Sequence, residues 1–423
     1  SMKTPALALA AVLAFAPSCA PRARCGELIP PAAAISKDRP RLLLRPKDTP
    51  HAVSLPQLAG IPRDAEFKSM LARLRACRQA APAAMAWLLT GEKADAERAL
   101  AVMKSWGPVD TESKNNAFRI WFRCRDAALA YDWLHTYPGF TPELKARVRE
   151  RIQPLAQAGY DRGDDHIFHN YFWMKNCGAM LWALAAAGDD PRAGRLLDDV
   201  RKRLEAKYYP AMKHLAGLPA DSQGYWSLYC LGPGAQALVA AQSAFEVDLS
   251  ARVKADWNDW LRDQLENLVH ATLPNMRYMP WGDQQGGGDG GVAHEMACNI
   301  DMMTWATRSA PGAWFSRWLA GVRGEKRFYG ETAVFYFIYT RNLRSRPAPP
   351  PPAHLSGGPH GGHFIAREKW DDAATIVGMR CSDCYTGHNH WDQGSFVIYR
   401  KGLLALDAGF YKKAHGPQKK TGN

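Results

Sequence analysis

The sequence predicts a mainly α chain: stacked helical hairpins closing into a toroid, followed by a short antiparallel β unit. Three observations predict it. Residues 60–345 carry apolar positions at helical spacing, with capping residues between short turns. Residues 346–362 then change character, with five prolines before a glycine cluster. Beyond them the apolar period shortens to that of strands.

The elements follow in chain order. Residues 2–20 read Met-Lys, an apolar run from Ala6 to Ala16, then Pro-Ser-Cys-Ala, the layout of a secretory signal. Export to the periplasm or the medium is therefore expected, and residues 21–59 form an N-terminal extension. In the helical part, Thr141-Pro142 supplies a cap and a first-turn proline before the stripe Leu144, Val148, Ile152 and Leu155. Asp190-Pro191 does the same before Ala193, Leu196, Leu197, Val200 and Leu204, which places Asp198, Asp199, Arg201, Lys202 and Arg203 on the wet face. About eleven such segments with no strict repeat predict helical hairpins closing into a toroid over 60–345. The stretch 346–362 reads as a stiff linker with a flexible end. Phe364–Arg367, Thr375–Arg380, Ser395–Arg400 and Leu403–Asp407 read as strands, the last two flanking a Lys401-Gly402 turn. Residues 363–423 are fewer than the ~100 of a full sandwich, so the β unit is expected to be incomplete, with unpaired edges and an uncovered apolar face.

Composition narrows the function classes. Apolar residues make up 47% and charged residues 22% of 423, which excludes a disordered or collagen-like chain. The formal charge of +13 favours an acidic partner: nucleic acid, anionic membrane or acidic polysaccharide. The charge is dispersed and no nucleic-acid reading module appears, which places nucleic acid last. No segment is apolar for the ~18 residues of a membrane span. Most of the 9 cysteines sit alone in apolar helical text, as buried thiols do; Cys381 and Cys384 are the exception, open to a zinc, redox or disulfide role.

The densest polar constellation is Gly387-His388-Asn389-His390-Trp391-Asp392-Gln393-Gly394-Ser395. In extended chain His388 and His390 share one face, and the Lys401-Gly402 turn pairs Phe396 with Asp407. Two imidazoles and a carboxylate suit zinc. A polar turn with exposed histidines is the plainer account of the same residues. Asp132, Asp221 and Asp283 keep a toroid glycoside hydrolase open, since that chemistry runs on paired carboxyl groups. Gly286–Gly291 lacks the strand and Lys-Ser/Thr of a phosphate loop and reads as a mobile loop near the cleft.

His388-Asn-His390-x-Asp-x-Gly-Ser-Phe, followed by Gly402-x-x-x-x-Asp407-x-Gly-x-Tyr411, resembles the start of the β-domain of the heparinase II/III-like polysaccharide lyases. His363-Phe-Ile-Ala-Arg367 is similar to the strand that opens that domain. Leu129–Leu134, His169–Met180, Ser222–Trp226 and Pro280–Asp283 add weaker echoes in the helical part. The resemblance implies an incomplete (α/α) toroid followed by an antiparallel β-sandwich, here truncated. It also implies β-elimination on a uronate polymer bound in the cleft between them. Asn170 then matches the group that neutralises the uronate carboxylate, with His169 as its substitute, and Tyr225 the catalytic acid, with Tyr229 competing. His388 matches the catalytic histidine. His390 and Asp407 match two ligands of a structural zinc, whose third ligand is a histidine well downstream in the family. His415 comes too early for that place, so zinc is expected to be weak or absent. Arg119, Arg123, Arg125 and Trp226 are the further candidates for substrate contact, Arg because its fork pairs with carboxylate or sulfate. A glycan-binding relative without chemistry is the third alternative.

Overall fold

The computed structural model describes residues 27–108, 110, 112, 116–256, 259–282, 294–323, 330–358, 361–383, 385–386, 388–390 and 393–405. The signal-like segment, Asp283, Gly286–Gly291, Cys384, Asp407 and His415 lie outside them. Within them the chain is an incomplete helical toroid followed by an antiparallel sheet. No helix among the described residues is long and apolar enough to cross a membrane.

Eleven described helices of eleven or more residues run from Ala65–Ala76 to Ala310–Arg323. The caps act as the sequence predicts. The Thr141 side chain accepts from Leu144 N–H at the start of the helix Pro142–Asp161, and Asp190 accepts from Arg192 N–H at the start of Pro191–Arg203. The helix Asn170–Ala186 is mostly apolar, and every residue but Tyr171 is buried. Such a helix belongs in the middle of a bundle. It packs against Asn116–Trp133, Pro142–Asp161, Pro191–Arg203 and Gly232–Phe245, and its N-terminal end opens toward the sheet.

Two readings of the helical part are corrected. Arg201, predicted on the wet face, is 4% exposed and pairs with Asp198 at 2.9 Å and Glu27 at 3.1 Å. The helical wheel cannot show that the N-terminal segment covers this face. That segment is part of the core: Leu28, Ile29, Leu42, Leu43 and Leu44 are buried, and β1 (Leu44–Arg45) pairs in parallel with β2 (Val53–Ser54). Asp132 holds it in place, its carboxylate accepting from the N–H groups of Arg41 and Leu42 and from the Arg39 guanidinium, each at 2.8 Å.

The predicted linker has no helix or strand up to Pro352, but from Ala353 its described residues belong to strands. β3 (Ala353–Gly358), β4 (Gly361–Arg367), β5 (Ile376–Ser382), β6 (Phe396–Tyr399) and β7 (Leu403–Ala405) form one antiparallel meander. The last hairpin pairs Ile398 with Ala405, the register the Lys401-Gly402 turn predicts, and slips by one at Tyr399 and Leu403. One sheet face packs on the segment after the helix Trp260–His270, through Met279, Trp281, Ile365, Ile376 and Val397. On the other, Leu355, Phe364, Met379 and Phe396 stand in register across four strands and are exposed. Arg367 clamps the sheet to the toroid by donating to the carbonyls of His270 at 2.6 Å and Thr272 at 3.0 Å. Cys124, Cys177, Cys230 and Cys298 are buried free thiols, as expected.

Candidate active site

Three segments meet where the sheet faces the toroid. The first is the start of the helix Asn170–Ala186. His169 is its cap, with Nδ1 accepting from Tyr171 N–H at 3.2 Å. Burial, and next the neighbouring His388, push the His169 imidazole down to about 4, so it is neutral near pH 7. With Nδ1 accepting, its proton sits on Nε2. Asn170 is 1% exposed, and its Oδ1 has no hydrogen-bond partner among the described residues. A buried amide oxygen in that state is costly unless a ligand or water completes it.

The second segment is the turn 220–225. Ser222 caps the short helix Gln223–Tyr225, which runs directly into a π-helical stretch, Trp226–Leu231. Wider turns of this kind recur at functional sites because they re-aim side chains. Here Tyr225 and Tyr229 lie 5.8 Å apart between ring centroids, and Tyr229 meets Phe118 at 5.0 Å.

The third segment is the connection between β5 and β6. It brings the His388 ring parallel to Tyr225, 3.9 Å between centroids and 15° between planes. The His388 ring also meets His169, at 5.9 Å and 27°. Tyr225, His388 and His169 therefore meet in one ring cluster, although they are distant in sequence, and Asn170 follows His169 as the first residue of its helix. Gly282, with φ +71°, wedges between the halves. A Cβ there would lie 2.6 Å from the His388 carbonyl oxygen and 3.0 Å from Ser222 Cβ. Sequence reasoning missed Gly282, Asp221 and Thr386 as parts of the site; the Pro280-Trp-Gly-Asp283 motif was the available signal for the first.

The remaining candidates divide. Tyr229 stays at the edge of the cluster. Arg119 is exposed, 3.6 Å from Asp110. Arg123 is half-buried over the Trp106 ring, where burial lowers its pKa. Two are corrected. Trp226 is 1% exposed, with Nε1 donating to Gln264 at 2.8 Å, so it is core and not a substrate contact. Arg125 is 5% exposed and spent on an ion pair with Glu331. Of the carboxylates a hydrolase would draw on, Asp132 is taken by the N-terminal segment, Asp221 Oδ1 accepts from Thr386 and Ser222, and Asp283 lies outside the described residues. His390 is 2% exposed, and among the described residues no three His, Cys, Asp or Glu side chains gather to hold a metal.

Solved structures supply the comparison. Heparinase III is similar over 81% of this chain and 51% of its own, at 14% identity and TM-score 0.53. Heparan sulfate lyase HepC from Pedobacter heparinus is similar over 86% of this chain and 52% of its own, at 13% identity and TM-score 0.50. The fold is that of heparinase III. This chain spans about half the length of those structures. No family model matches it, and no curated protein does.

Proposed function

We propose that the protein is a polysaccharide lyase that cleaves a uronate-containing acidic polysaccharide by β-elimination. One observation carries the reading: Tyr225 and His388 stack at 3.9 Å, His388 meets His169 at 5.9 Å, and His169 caps the helix that opens with Asn170, whose buried amide oxygen has no hydrogen-bond partner among the described residues. The heparinase III fold supports it. Elimination removes the proton at C5 of the uronate and expels the glycosidic oxygen from C4. The C5 proton is weakly acidic while the adjacent carboxylate keeps its charge, so that carboxylate must be neutralised as charge builds. In this reading Asn170 and the positive end of its helix meet the carboxylate. Neutral His169 adds an Nε2–H donor. His388 takes the C5 proton, and the Tyr225 hydroxyl protonates the leaving oxygen. The C5–H and C4–O bonds break, and a C4–C5 double bond forms in conjugation with the carboxylate. His390 and Asp407 are the proposed holders of a structural zinc that steadies the strands around His388; no step passes through it. Secretion or a periplasmic location fits the signal-like N-terminus.

The test is ultraviolet absorbance of products formed from a panel of acidic polysaccharides. New absorbance from the conjugated double bond is expected on at least one. Reducing ends without that absorbance would mean hydrolysis, and affinity without products would mean a binding protein. Because an anionic polymer is held partly by charge, the apparent KM is expected to rise as the Debye length shrinks from ~10 Å at ~0.1 M to ~3 Å at ~1 M salt. A KM flat across that range would argue against an acidic substrate. Gly282→Ala is expected to lower kcat about 10²-fold, since a displacement of ~1 Å at a reacting group has that effect. Unchanged kcat in this variant would show that the wedge does not set the His388 position.

A further inference from the structure

We propose that Asp221 and Thr386 form a positioning latch that fixes His388 against Tyr225, and that Thr386 is a determinant of turnover. The inference rests on the lyase reading above and adds to it two residues that touch no substrate. The Thr386 hydroxyl donates to Asp221 Oδ1 at 2.7 Å across the seam between sheet and toroid. The same hydroxyl oxygen accepts from His388 N–H at 3.3 Å. Asp221 is 1% exposed, and its Oδ1 also accepts from Ser222 N–H at 3.0 Å. Ser222 in turn caps the helix that carries Tyr225. One buried carboxylate oxygen thus holds the backbone of both stacked residues: Tyr225 through the cap and His388 through the threonine. Asn389, the next residue in the loop, donates from Nδ2 to the Ala220 carbonyl at 3.0 Å and ties the same two segments a second time.

Charge-assisted hydrogen bonds of this kind are short and directional, and a buried one is barely loosened by water. Removing the hydroxyl breaks both the bond to Asp221 Oδ1 and the bond from His388 N–H, so the link across the seam is lost while the core beneath it stays packed. Thr386→Val is nearly isosteric and makes that change alone. Thr386→Ser restores the hydroxyl.

The expected result is a kcat about 10–10²-fold below wild type for Thr386→Val with KM within about twofold, and recovery in Thr386→Ser. The second readout needs no substrate. In protein labelled at histidine, the His388 ring protons are shifted upfield by the stacked Tyr225 ring and are assigned by their loss in His388→Gln. Thr386→Val is expected to move them toward the unstacked position, and Thr386→Ser to leave them in place. Melting temperature checks that each variant is folded. A folded Thr386→Val with wild-type ring shifts overturns the latch, whatever the enzyme does. If the wild type releases no unsaturated product from any polymer, the lyase reading fails, and the ring shifts alone decide the latch.

Discussion

Tyr225→Phe and His388→Ala are each expected to lower the rate of elimination by about 10²–10⁴-fold, the usual contribution of a positioned acid or base. That range corresponds to about 3–5 kcal/mol of transition-state stabilisation. The two variants differ in what else they remove. Tyr225→Phe keeps the ring that stacks on His388 at 3.9 Å, so only the proton donor is lost and stability is expected to hold. His388→Ala also removes one side of that stack, worth about 0.5–1.5 kcal/mol, so a small loss of stability is expected alongside the loss of rate. The double variant is expected to be scarcely slower than the worse single one, because groups that serve one proton-transfer unit are not additive. Asn170→Ala is expected to reduce kcat more than it raises KM, since the charge it meets grows toward the transition state. The measurement is initial rate by ultraviolet absorbance on the polymer that the wild type degrades best. Near-wild-type rates for both single variants would remove Tyr225 and His388 from the chemistry.

How far the sequence carried these residues depends on what kind of signal each one left. Thr141, Asp190 and the Lys401-Gly402 turn act through neighbours two to four positions away, so local chemistry was enough to place them. The strands β4 and β5 were legible for the same reason: alternation buries Ile365 and Ile376 and exposes Phe364 and Val377. Asn170, Tyr225 and His388 were legible only as a resemblance; nothing in their spacing says that three separate turns meet. What escaped was long-range and polar. Arg201 reads as solvated until Glu27 is folded over it, and Asp221 reads as a spare carboxylate until Thr386, 165 positions on, donates to it. Trp226 misled because its neighbour Tyr225 is at the site, while the π-helical stretch turns its own indole inward. The N-terminal segment was read as an extension because Leu42, Leu43 and Leu44 are too short a run to show a period, although all three are buried.

Acid is expected to weaken the seam between sheet and toroid as pH falls below ~6.5. His270, on the toroid side, and His354, in β3, stack at 4.8 Å and 13°. Burial pushes His270 down to about 3, helped by the nearby His354 and Arg367, and burial pushes His354 down to about 4. Asn267 donates to the Ser356 hydroxyl at 2.8 Å, and that hydroxyl is also within hydrogen-bond distance of His354 Nε2, at 2.8 Å. His363 in β4 is buried against the Trp281 ring at 4.5 Å, and burial holds it well below the ordinary range. The sign follows from linkage. In the unfolded chain these imidazoles protonate near ~6.5, and in the folded chain only well below that. Above ~6.5 both states are neutral and the stability is fully present; as pH falls from there toward ~4, the unfolded chain binds the protons and stability drops. At pH ~5 the pair His270 and His354 alone is expected to remove about 2 kcal/mol each. That is a large share of a typical ~5–15 kcal/mol. Denaturant unfolding at pH ~7.5 and ~5, followed by tryptophan fluorescence, measures it. His270→Phe keeps a ring in the stack and removes one titrating group, so its loss of stability between the two pH values is expected to be smaller by about 2 kcal/mol. An undiminished loss in His270→Phe would show that this seam does not carry the acid response, whereas Asp263 and Asp126, which burial pushes up to about 7 and about 6, titrate with the opposite sign and are common to both proteins.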